Sequence, residues 1–257
     1  MRRVRWRCSI ALLLGLIPST LWAGEAVMLL HGLARTSRSM NALADDLDEA
    51  GYAVVNLDYD STKADIETLA RTEVGPAIET LAVGHEPVHF VTHSMGGIVL
   101  RQYLSEHELP QLGRVVMLAP PNQGSELVDR LGGLAPFAWI NGPAGMELST
   151  GAQALPRRLG AVDYPVGVIA GTASFNPLYS YLIPGADDGK VSVARTRLEG
   201  MSDFIEVHAS HTWIMRNDRV AEQVLQFLRD GHFDHAEATP QPRPRTQTRG
   251  PLAPASR

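Results

Sequence analysis

The chain has 257 residues, a formal net charge of −5 and one cysteine, Cys8. Residues 24–235 carry 15 Lys+Arg against 27 Asp+Glu, a net charge of −12 that argues against unspecific binding of polyanions, so no nucleic-acid partner is expected. With its only cysteine close to the N-terminus, the rest of the chain has neither a disulfide framework nor a thiol nucleophile, and a domain of this size can bury its core without such staples.

Met1–Arg7 is strongly basic, Ser9–Leu21 is mostly apolar, and Leu21-Trp22-Ala23 resembles a small-residue cleavage site. This layout predicts a secretory signal peptide over residues 1–23 and a secreted or periplasmic protein. The apolar run, interrupted by Pro18, is shorter than the roughly 20 residues a membrane span requires. At the other end, residues 236–257 are rich in Pro and Arg, with Leu252 the one large apolar residue. That composition predicts a disordered tail, whose four arginines read as a solvated face rather than a nucleic-acid arm.

Between these ends, residues 24–235 read as one domain of alternating strands and helices. Ala26–Leu30 is a short buried strand. Ser39 is placed to cap a helix bearing Met40, Leu43, Ala44 and Leu47, which stops at Gly51. Tyr52–Leu57 is a second strand, and Ile66–Ala82 is helical with a break or restart at Gly75-Pro76. Val88–Val91 is a third strand, followed by a helix over Gly97–Ser105. Val115–Leu118, Val166–Ala170 and Phe204–Val207 complete six strands, and Val220–Leu228 closes with one apolar helical face. Such alternation predicts a mostly parallel sheet with helices on both faces. Residues 121–160, rich in Gly and Pro, interrupt the pattern and read as an insertion over one edge of the sheet, a candidate small cap or lid, with helix packing through irregular joints as the alternative.

The stretch Thr92-His93-Ser94-Met95-Gly96-Gly97 sits between a buried strand and a helix. A sharp strand-to-helix turn projects a serine out of the sheet, and small residues two positions either side keep it clear of its neighbours. Thr92 is larger than the glycine usual at that place, which predicts a slightly opened turn. The Met95 amide, at the helix start, has no intrahelical partner and can stabilise an anion. A second donor is expected from the Leu33 amide, because Gly32 lets the loop after the first strand approach closely.

Strand–His31-Gly32, followed by strand–His93-Ser94-Met95-Gly96-Gly97–helix, resembles the α/β-hydrolase superfamily, in particular its compact bacterial lipase and esterase branch. The resemblance covers nearly all of residues 24–232, without the first two strands of larger members. It implies an α/β-hydrolase fold and a triad in the order Ser, Asp or Glu, His. Nucleophile Ser94 would then be served by a histidine after the last strand. His211 is the choice, because Thr212-Trp213-Ile214-Met215 resembles the segment that follows the catalytic histidine in related hydrolases; His208 is the alternative. Asp188-Gly189 before Val191-Ser192-Val193 resembles the D-G-x-V signature of bacterial lipases and marks Asp188 as the acid, with Asp187 as its competitor. Leu33 and Met95 would form the oxyanion hole, with His31, Gly32 and His93 on the substrate side. The Pro120–Ser125 loop resembles a loop near the substrate in lipase relatives.

No phosphate loop, dinucleotide turn or metal-ligand spacing is present, and Asp58 and Asp60 read as loop capping residues, so neither cofactor nor metal is expected. The expected substrate is a small-molecule or lipid ester, with transient contact to a lipid interface. A thioesterase, acyltransferase or amidase could use the same residues. A non-catalytic binding protein on this fold is the alternative from another class; it predicts loss of a triad member, whereas all three residue types stand in order.

Overall fold

The computed structural model describes residues 24–236, so the leader expected over residues 1–23 and the tail beyond Ala236 lie outside the described residues. The strands are β1 (Ala26–Leu30), β2 (Ala53–Leu57), β3 (Val88–His93), β4 (Leu112–Leu118), β5 (Val166–Gly171) and β6 (Asp203–Val207). They form one sheet in the order β2-β1-β3-β4-β5-β6, and every pairing is parallel. The central strands are apolar on both faces because helices cover both. Met28, Leu30, Phe90, Met117 and Val168 pack on one side against α2 (Ile66–Leu69), α3 (Gly75–Ala82) and α4 (Met95–Glu106). Val27, Leu29, Val91, Val116 and Ile169 pack on the other against α1 (Asn41–Glu49) and α10 (Asp218–Asp230).

This strand order fixes where a ligand can enter. The chain steps outward from β1 to β2, then crosses back to β3 on the far side of β1. Connections leaving β1 and β3 therefore diverge, and a crevice opens at their C-terminal ends. His31-Gly32 follows β1 and Ser94 follows β3, so the topology alone brings both motifs to that crevice.

Several local features differ from the sequence-based expectation. Ser39 lies inside a 3₁₀ turn, Ser37–Met40, and its hydroxyl donates to the Thr36 carbonyl (2.7 Å) instead of capping α1. The 66–82 segment does not break at Gly75-Pro76. A π-helical turn over Ala70–Val74 joins α2 to α3 with helical backbone throughout, and Pro76 follows it directly in the first turn of α3.

Residues 121–160 form three helices, α5 (Glu126–Leu131), α6 (Ala135–Met146) and α7 (Leu155–Arg158). α6 is kinked at Gly142 (φ 64°), just before Pro143. Both ends of the segment are held by one residue of α4. Arg101 is buried, and its guanidinium donates to the Asn122 carbonyl (3.3 Å), the Asn122 side chain (3.2 Å) and the Gly160 carbonyl (2.7 Å). It has no carboxylate partner among the described residues, and burial pulls its pKa down to about 10. Two further helices, α8 (Pro177–Leu182) and α9 (Val193–Thr196), flank the loop that carries Asp187 and Asp188.

Candidate active site

Ser94 occupies the left-handed region (φ 53°, ψ −125°), which a non-glycine residue enters only at a cost of roughly 1–3 kcal/mol. The surroundings enforce it. The Ser94 amide donates to the Leu118 carbonyl of β4 at 2.9 Å. A side chain at Gly96 would meet the carbonyls of Leu30 and His31 at 2.5 and 2.7 Å, so only glycine lets α4 start this close to β1. A side chain at Gly97 would lie 3.1 Å from the Thr92 hydroxyl, so the second glycine provides the room that the bulkier Thr92 takes up.

His211 follows β6 and reaches back across the crevice. Its Nε2 is 3.0 Å from Ser94 Oγ, and its Nδ1 is 2.8 Å from Asp188 Oδ2. The other carboxylate oxygen, Asp188 Oδ1, accepts the amides of Lys190 (2.9 Å) and Val191 (2.8 Å), and the His211 amide donates to the Asp188 carbonyl (2.9 Å). Asp188 is thus buried with both carboxylate oxygens hydrogen-bonded. A carboxylate at Nδ1 favours the Nδ1–H tautomer, which turns Nε2 toward Ser94 Oγ as an acceptor. The competitors lie elsewhere. Asp187 accepts from the Ser180 hydroxyl and the Gly189 amide, and His208 is exposed and lines a different groove with Phe175 and Trp213.

His93 supports this arrangement from below. Its Nε2–H donates to the His211 carbonyl at 3.0 Å, which leaves Nδ1 buried without a partner. Burial first, and then His211, Arg35 and Lys190, hold the ring well below the usual imidazole range. His31 is fully buried: Nδ1–H donates to the Gly32 carbonyl (2.9 Å), Nε2 accepts the Tyr59 amide (3.3 Å), and the ring stacks on Tyr59 at 4.2 Å. Desolvation pushes it below its ordinary range as well, and does the same to His89 in β3.

Three buried neutral histidines set the sign of a pH effect. An unfolded chain takes up protons as pH falls through roughly 6.5, while the folded chain resists until lower pH, so this contribution is whole above that point and is lost below it. Each histidine contributes a slope of up to about 1.4 kcal/mol per pH unit. Thermal unfolding followed between about pH 7.5 and pH 5 should show Tm falling as the medium is acidified. His93→Gln should flatten that dependence, and an unaltered slope would remove His93 from the explanation.

Ser94 is 8% exposed and is reached through a cleft of about 240 Å³. Leu33, Phe137, Ile140, Leu148 and Tyr179 give it an apolar wall, and Arg35 and Lys190 a cationic one. Residues 27–241 match the profile of the alpha/beta hydrolase family. The chain belongs to the α/β-hydrolase family. Among curated protein sequences there is no match. Among solved structures, the mature lipase BlEst2 of Bacillus licheniformis superposes with a TM-score of 0.64 at 20% identity, over 79% of this chain and 91% of that one. Phospholipase PlaB of Legionella pneumophila gives 0.62 at 20% identity, over 80% of this chain and 59% of that one. A metagenomic carboxyl esterase gives 0.55 at 20% identity, over 74% and 65%. At these identities the likeness is one of fold.

In this hydrolase the crevice brings Ser94, Asp188 and His211 into one hydrogen-bonded row. Leu33 and His93 line the cleft beside it, and Met95 opens α4 directly beneath Ser94. His31 and Gly32 sit behind the lining; a side chain at Gly32 would come within 2.9 Å of His93 Nδ1 and 3.0 Å of Ser94 Cβ. The Pro120–Ser125 loop serves as a joint: the Asn122 side chain donates to the Thr196 carbonyl, and the Ser125 hydroxyl donates to the Lys190 carbonyl. Sequence reasoning missed Tyr59, whose hydroxyl donates to the His31 carbonyl (2.5 Å), and Ser61, which accepts the Ala34 amide (3.1 Å). Together they set the loop that carries Leu33, and no local pattern marks either residue.

Proposed function

We propose that the protein is a serine hydrolase of carboxylic esters that works through an acyl-enzyme. The observation that supports this most directly is the unbroken row Asp188–His211–Ser94 at the floor of a half-apolar cleft. His211 Nε2 takes the hydroxyl proton as Ser94 Oγ attacks the ester carbonyl. The amides of Leu33 and Met95 receive the developing oxyanion, where one well-aimed donor is worth on the order of a hundredfold in rate. The imidazolium, stabilised by Asp188, protonates the leaving alcohol. Water activated by the same ring then releases the acid and restores Ser94.

Apolar acyl or lipid-like groups suit the cleft wall, and the exposed Leu134, Trp139 and Ile140 around α6 favour a rim that meets a lipid interface. Export by the leader of residues 1–23 belongs to the same reading. The test is a panel of p-nitrophenyl esters of increasing chain length, with long-chain emulsions as a separate arm and a fluorophosphonate probe alongside. The expected result is turnover across the panel, a rise in rate at the oil–water interface, and one covalent adduct on Ser94. A protein that turns over no ester and takes no adduct would overturn the reading, and flat kinetics on emulsions would remove its lipid-interface part.

A further inference from the structure

Four of the fifteen cations in residues 24–235 gather on one side of the cleft mouth. Arg35 and Lys190 line the cleft that contains Ser94 and His211. Arg38 and Arg216 join Arg35 along the adjoining groove, where the Arg216 guanidinium lies 5.0 Å from the Trp213 ring centre. Among the described residues none of these four side chains forms an ion pair.

The nearby carboxylates form no ion pair with this group, and none of them lines the cleft that holds Ser94. Asp188 is engaged by His211 and two amides. Asp58, Asp60 and Glu73 line a separate groove on the other side of Arg35; Asp58 accepts the Ser37 amide and Glu73 the Asp60 amide. Lys190 is exposed at the cleft mouth, and its ammonium is held below its ordinary range by desolvation first and then by Arg35. A domain of net charge −12 thus lines the Ser94 cleft with two cations and no carboxylate. Like charges facing one small cavity without a counter-ion are unfavourable, and an anion bound between them would relieve the repulsion.

We propose that the substrates are esters bearing an anionic group, a carboxylate or a phosphate, a few bonds from the scissile carbonyl, seated between Arg35 and Lys190. This rests on the ester-hydrolase reading for its chemistry, and the anionic group takes no part in bond making. Arg35 presents a planar fork suited to two oxygens at once, and Lys190 a mobile point charge. The apolar wall opposite takes the uncharged part of the molecule.

The test uses Ser94→Ala protein, which can hold an ester without consuming it, and two matched pairs of soluble probes. One pair sets mono-p-nitrophenyl glutarate against p-nitrophenyl valerate, with the charge on the acyl side. The other sets dibutyryl glycerophosphate against dibutyrylglycerol, with the charge on the alcohol side. In at least one pair the anionic member should bind about tenfold tighter or better at low ionic strength, and the pair that shows it assigns the side. That advantage should shrink in about 0.5 M salt and vanish when Arg35→Gln and Lys190→Gln are combined. Equal affinities within both pairs, or an advantage that survives the double substitution, would overturn the proposal. The two readings fail distinguishably. Intact protein that cleaves neutral and anionic esters alike retains the hydrolase reading and loses this one, whereas preferential binding without any turnover removes the ester chemistry from both and leaves only the anion seat between Arg35 and Lys190.

Discussion

Ser94→Ala is expected to lower ester turnover on the order of a millionfold if the three residues act as a unit. Among the described residues, the hydroxyl makes one hydrogen bond, to His211 Nε2, so its removal deletes the nucleophile without unpinning the fold. Alanine enters the same positive-φ conformation with no larger steric demand than serine, and the strain at this position therefore does not grow. The variant should unfold at the wild-type temperature, lose the fluorophosphonate adduct, and retain only the rate that oxyanion donors and binding supply. Hydrolysis of p-nitrophenyl esters by the variant at the original rate would refute the assignment of Ser94.

Asp188→Asn should cost roughly ten-thousandfold in kcat, with a much smaller change in KM. The reason lies in which proton goes where. The amides of Lys190 and Val191 both donate to Oδ1, so an asparagine keeps its carbonyl oxygen there and turns its NH₂ toward His211. His211 Nδ1 must then accept, its proton moves to Nε2, and the ring faces Ser94 Oγ as a donor instead of a base. The packing is isosteric, so the loss should appear in kcat while Tm stays close to wild type. Activity of the variant within tenfold of wild type would show that the carboxylate does not orient the base.

The parts of the fold legible in the sequence are those whose signal is local. β1 reads as an unbroken apolar run because both of its faces are covered, β3 reads through Phe90 and Val91, and Ser94 reads as an elbow because Gly96 has no tolerated alternative in that turn. β4 begins three residues earlier than its apolar pattern, at Leu112, because its first residues are only half-buried and Gly113 carries no hydrophobic signal. The Asp187/Asp188 ambiguity could not be resolved from neighbouring residues, since both carboxylates bind loop amides and only the approach of His211 separates them. The stack of Tyr59 on His31 and the cleft wall shared by Arg35 and Lys190 bring together residues far apart in sequence. Such pairings follow from tertiary packing alone, which periodicity and spacing do not encode.

Arg101 gives the architecture a further property. One guanidinium, rooted in the helix that starts at Ser94, grips the chain where it leaves the sheet at Asn122 and where it returns at Gly160. Both ends of a segment that walls the Ser94 cleft are thereby tied to the helix that Ser94 opens, so a shift of that helix would be carried to both ends together.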